Sequence, residues 1–169
     1  METLKHIDQP LENTRRRRAG HGHGHKDHGY QTRLDDHRER LTSGKSPSGR
    51  RGKSGNAPEQ SAKFYSPEAE LEALTKAEQQ LPNKLQSDNI STMTDGQPTR
   101  TEVYVETNQP RGFGGGYRVK RDVNGAPIIG SDGVPQLEAV KKLKRAVVVF
   151  EYFPGRDKWV PVTYYPVID

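Results

Sequence analysis

The most regular pattern of apolar and polar positions in the chain lies in residues 61–82, SAKFYSPEAELEALTKAEQQLP, where Leu71, Leu74, Ala77 and Leu81 recur every three or four residues. That spacing places them on one face of an α-helix. Ser66 has the chemistry of an N-cap and Pro67 that of the first helical position; Glu68 and Glu70 complement the helix dipole, and Pro82 is expected to end the helix. A weaker pattern, Leu34, His37, Arg38 and Leu41, follows Thr32, a candidate cap with Asp35 at the capping-box position, and predicts a short helix over residues 33–41.

Beyond residue 100 the period changes to two. TEVYVET, residues 101–107, alternates with Val103 and Val105 on one side and Tyr104 on the other, the pattern of a half-buried strand. Asn124-Gly125 predicts a type I′ hairpin between strands near 117–122 and 127–129. Residues 135–143 fit either a short helix or a strand lead-in. RAVVVFEYF and KWVPVTYYPV, joined by Pro154-Gly-Arg-Asp157, predict a second hairpin, with Pro161 at an edge or bulge because it cannot donate to a ladder. Gly112-Phe-Gly-Gly-Gly116 precedes no predicted helix and is expected to be a loop, not a phosphate cradle. Helices first and a strand meander afterwards predict an α+β fold, with N-terminal helices packed on one face of a four- to five-stranded antiparallel sheet.

Apolar residues are scarce, with a mean hydropathy of -1.02, and they concentrate around residues 64–81 and 101–166, so the core must come from those segments. Residues 1–20 lack periodicity and are expected to be a disordered basic lead, leaving 21–169 as a single domain; the Gly-, Ser- and Pro-rich residues 42–60 are expected to form a mobile basic loop. With no cysteine, disulfides and thiolate metal sites are excluded. No apolar run approaches the roughly 20 residues of a membrane span, and Met1 is not followed by a signal-peptide apolar region. Residues 1–65 hold 14 Lys+Arg against 8 Asp+Glu, so the positive charge belongs to the front half, which is compatible with binding a polyphosphate and equally with a solvated flexible leader.

His21, His23, His25 and His28 invite a metal site, but alternating His-Gly is flexible, and no acidic or thiol ligands accompany it at zinc-finger spacing; no metal is expected. One histidine suffices for another chemistry. Metal-free cleavage of RNA needs a base for the 2′-OH proton, an acid for the leaving oxygen and a cation for the phosphorane. His28, at the entrance to the first helix, is the candidate base or acid. Lys63 and Arg111, with Arg33 and Arg118, are candidate phosphate-binding cations. Thr163, expected on the same strand face as Trp159 and Tyr165, could donate a hydrogen bond.

His28-Gly29, a short helix ending Arg40-Leu-Thr-Ser-Gly44, a Pro-Ser-Gly loop, Ser61-Ala-Lys-Phe64 opening an amphipathic helix, and Trp159-Val-Pro-Val-Thr-Tyr-Tyr-Pro166 together resemble the C-terminal toxin domains of bacterial polymorphic and contact-dependent systems. Those domains are similar to the ribonuclease A-like contact-dependent toxins and to the barnase-EndoU-colicin-RelE group. The resemblance implies a cofactor-free ribonuclease carried on a secreted parent protein, delivered into a target cell's cytoplasm and neutralised by a cognate immunity protein. It places His28, Lys63, Thr163 and Tyr165 in catalysis and Ser61 among the substrate-binding residues. If a histidine pair is needed, the partner must be His25 or His37, of which His37, between Leu34 and Leu41, suits a structural role. A non-catalytic nucleic-acid-binding module is the second expectation, and an ADP-ribosyltransferase toxin a minor third.

Overall fold

A computed structural model describes residues 24–43, 59–90, 93–94, 97–153 and 158–169. The expected lead, His21, His23, the expected hairpin turn at Pro154–Asp157 and most of the expected basic loop lie outside these residues. Among the described residues three helices, α1 (Gly24–His28), α2 (Leu34–Ser43) and α3 (Pro67–Ser87), combine with strands β1 (Gln60–Phe64), β2 (Met93–Thr94), β3 (Gln97–Pro98), β4 (Arg100–Glu106), β5 (Gly114–Val119), β6 (Leu137–Leu143), β7 (Arg145–Phe153) and β8 (Lys158–Pro166). The fold is α+β. Its strands are shared between two three-stranded antiparallel sheets, ordered β1-β5-β6 and β4-β7-β8, with β2 and β3 forming a small separate pair.

Helix α3 starts as its sequence dictates, with the Ser66 side chain accepting from the Ala69 amide and Pro67 opening the first turn. It does not stop at Pro82. The proline removes one backbone donor, but the helix continues to Ser87, with Leu85 against the core and Lys84 pairing with Asp88 one turn on. Its inner face, Ala73, Leu74, Ala77 and Leu81, packs with Val103, Val105, Val148, Phe150 and Tyr164 on one side of β4-β7-β8. Strand β4 alternates as expected, with Val103 and Val105 buried and Tyr104 exposed.

The other helices do not share that face: α2 packs on β1 and β5, and α1 on β8 and β1. Ser61-Ala-Lys-Phe64 is a strand, not the opening of the helix. Its partners are the glycines expected in a loop, with Ala62 opposite Gly116 and Phe64 opposite Gly114. A Cβ on Gly114 or Gly116 would run into the backbone carbonyls of Lys63 and Ser61, so the glycines permit close pairing. Residues 137–143 resolve as strand β6. The β5–β6 connection contains the expected Asn124-Gly125 turn, but only Gly125 has positive φ, at 82°, and its amide donates to Asp122 O, which makes it a type I arrangement. The segments near 117–122 and 127–129 contribute β5 and two isolated bridges, not a complete hairpin.

Strand β8 departs from strict alternation. Pro161 does lie in an outer strand beside a bulge: Val149 pairs with Thr163 and Phe150 with Pro161, so Val162 is the extra residue. The bulge puts Trp159 with the α3-side core and Tyr165 with the opposite cluster of Val147, Val149, Val160 and Val162. Thr163 and Tyr165 share a face, and Trp159 does not join them.

Candidate active site

Helix α1 is one turn long, and its His25 and His28 are each only 7% exposed. This overturns the expectation that the His-Gly segment has no organised geometry from residue 24 onwards. Three anchors fix the turn. His28 Nδ1 lies 2.7 Å from the Ala62 carbonyl, which can only accept, so that nitrogen carries the proton. His25 Nδ1 lies 2.8 Å from Glu70 Oε1. Gly29 closes tightly over the His25 carbonyl, and its own amide donates to that oxygen at 2.9 Å.

Glu70 is fully buried, and its carboxylate also accepts from the Tyr164 hydroxyl at 3.0 Å and the Tyr30 amide at 3.3 Å. When His25 is protonated the contact is an ion pair; a buried carboxylate needs such a partner or several donors, and here it has both. The histidine between the two leucines behaves differently. His37 is completely buried, with Nδ1 2.6 Å from Ser61 Oγ and Nε2 2.9 Å from Thr32 Oγ1. The Thr32 hydroxyl donates to Gly29 O, so it accepts from His37 Nε2–H, and Ser61 must donate to Nδ1. Burial first, then the charges of His28, Arg40 and Lys63, lower the His37 pKa to about 3. His37 is a neutral structural link between α2, the preceding turn and β1.

The remaining expected residues fall into two groups. His28 comes together with Tyr165, ring centroids 5.1 Å apart, and with His37 at 5.9 Å. Burial pushes the Tyr165 phenol above its usual pKa. Thr163 Oγ1, on the same strand face as Tyr165, is buried and has no hydrogen-bond partner among the described residues. Lys63 donates to the Tyr30 and Thr32 carbonyls, and burial lowers its pKa. Ser61 joins the cluster through His37. The other cations do not converge there. Arg33 is exposed beside Asp35, Arg118 is paired with Glu138, and Arg111 lies over the Tyr65 ring at 5.2 Å, lining a separate cavity of about 460 Å³ with Glu68 and Glu72.

Sequence reasoning missed Glu70, Tyr164 and Arg40. Glu70 stands four residues before Leu74 on the buried stripe, and a carboxylate in that register was the available signal. Arg40 donates to Ser61 Oγ at 3.4 Å, and its charge acts on both His37 and Tyr165. Nothing in the sequence distinguishes it from Arg38, the other arginine of α2. Among the described residues no group of three or more His, Asp or Glu is spaced to hold a metal ion, and no helix is long and apolar enough to cross a membrane. Comparison with protein-family models, curated proteins and solved structures finds no match.

Proposed function

We propose that this chain is a metal-independent endoribonuclease domain of the polymorphic-toxin kind, cleaving RNA by transesterification through the 2′-hydroxyl. The observation that carries the reading is the placement of His28: its Nδ1–H is fixed on the Ala62 carbonyl and its ring lies 5.1 Å from that of Tyr165 on the terminal strand, tilted by 44°. That tautomer leaves the lone pair on Nε2, the atom a general base uses. His28 takes the 2′-OH proton, the 2′-oxygen bonds to phosphorus, and the bond to the 5′-oxygen breaks. His25, backed by Glu70 in the manner of a carboxylate-oriented imidazole, returns a proton to that 5′-oxygen. The products are a 2′,3′-cyclic phosphate and a 5′-hydroxyl.

Arg40 and Lys63 supply positive charge to the phosphorane, while Thr163 and Tyr165 position it; the unpartnered Thr163 hydroxyl is the kind of buried donor that a substrate oxygen would satisfy. A cognate immunity protein, a secreted parent and delivery into a target cytoplasm follow from the same reading. A binding module without turnover is the second reading, favoured by the basic front half.

Purified protein incubated with RNA in EDTA should release 2′,3′-cyclic phosphate ends. His28→Ala, with an unchanged circular dichroism spectrum, should lose at least about 100-fold in rate, the usual contribution of general acid–base catalysis. An undiminished rate in the folded variant would sink the assignment, and salt-sensitive RNA binding with no cleavage by the wild type would favour the binding module.

A further inference from the structure

A second feature of the fold concerns phosphate. Most described cations are engaged: Arg100 with Glu151, Arg118 with Glu138, Arg145 with Asp169, Lys76 with Glu72 and Lys84 with Asp88. The side chains of Arg38 and Lys120 have no ion pair or hydrogen bond among the described residues, yet both line one open cavity of about 510 Å³ between α2 and the β5–β6 connection. Ser131 and Gln136 add neutral donors to the same walls, which Thr42, its hydroxyl donating to Glu39 O, also lines. The single acid there, Asp132, turns Oδ1 to the Val134 amide at 3.2 Å.

Both walls are fixed in advance. On one side, His37 and Leu41 bury the inner face of α2 and His37 is tied to Ser61, so Arg38 projects from an anchored helix. On the other, the Lys120 amide donates to Gln136 O, Ile128 N to Lys120 O, and Gln136 N to Ile128 O, a cross-braced row that holds the base of the connection. Two cations line this polar cavity against one carboxylate, which leaves an excess of positive charge that a bound anion balances.

We propose that this cavity is a phosphate subsite for the backbone of the RNA strand. The inference rests on the ribonuclease reading for the identity of the ligand. Tyr117, the β5 partner of Ser61, stands three strand residues from Lys120, about 10 Å. Arg38 directly follows His37 on α2, so the cavity borders the helix that also supports the histidine cluster. Contacts of this kind position a strand and add salt-dependent affinity without reading bases.

The test uses the full chain and a short fluorescent 2′-O-methyl oligoribonucleotide, which lacks the attacking hydroxyl, alongside cleavable RNA. Arg38→Gln/Lys120→Gln should reduce the slope of log affinity against log salt by about 1.4, two contacts at about 0.7 each for a single strand. The same variant should raise KM for cleavage and leave kcat unchanged. Lys141→Gln/Lys158→Gln removes the same charge elsewhere and should change the slope less. Absence of binding by the wild type, an unchanged slope, or an equal fall in both double variants overturns the subsite. If the slope falls as expected but the wild type cleaves no RNA, the subsite stands and the ribonuclease reading falls; if the wild type cleaves and the first variant keeps its slope and KM, the reverse holds.

Discussion

Glu70 shows how one residue can decide the arrangement of the site. It has no solvent exposure, and among the described residues His25, 2.8 Å away, is the imidazole that pairs with its carboxylate. Removing the partner leaves a carboxylate in the interior with only the Tyr164 hydroxyl and the Tyr30 amide, so His25→Ala should destabilise by about 3 kcal/mol or more. Replacing both, His25→Ala with Glu70→Leu, should cost less than the single change because no charge is stranded. Urea denaturation of the four members of that cycle measures the coupling; strict additivity would mean that the pair contributes nothing to holding α1. Tyr164→Phe, which deletes one donor, should cost about 1 kcal/mol. At this scale the sequence was legible where chemistry is local. His28 stood out by its position and His37 by its place between two leucines. Glu70 looked like a dipole-complementing residue of the first helical turn because its partners, His25 and Tyr164, lie far away in the chain.

Helix α3 is the element whose start was most fully written in local signals, and its cap provides a direct test. Ser66→Ala removes the acceptor for the Ala69 amide and should lower stability by about 1 kcal/mol, seen as a lower denaturation midpoint with an unchanged urea slope. A neutral result would show that the terminal amides find other partners. The start of α2 was legible only to within one residue: the amide that is capped belongs to Arg33 and the carboxylate to Asp36, whereas Thr32 is drawn away by Gly29 O and His37. Ends and faces set by tertiary contact were the least legible. Leu85 and the Lys84–Asp88 pair carry α3 past Pro82, and the Val162 bulge moves Trp159 off the face of Tyr165, although strict alternation would have kept them together.

At the scale of the molecule, the candidate site is made where the first described helix meets the last strand, with β1 between them, and no local pattern announces such a meeting. The division into two sheets was hidden for the same reason: pairing of β1 with β5 is non-local, and β1 resembles a lead-in to α3. The buried link that joins these parts has a measurable acid dependence. His37 has a folded pKa of about 3 against 6.5 in its unfolded reference state. Between these values the unfolded chain binds a proton that the native protein refuses, so stability is present above about pH 6.5 and declines as pH falls towards 3. This one group contributes a slope of about 1.4 kcal/mol per pH unit across that window. His37→Gln should be less stable than the wild type at pH 7, having lost buried hydrogen bonds, but its stability should fall less steeply from pH 6 to pH 4. Urea midpoints at each pH provide the comparison, and parallel curves for the two proteins would show that His37 takes up a proton without opening the structure. The steeper wild-type decline ties acid sensitivity to α2, the helix that carries Arg38 towards one cavity and Arg40 towards the histidine cluster.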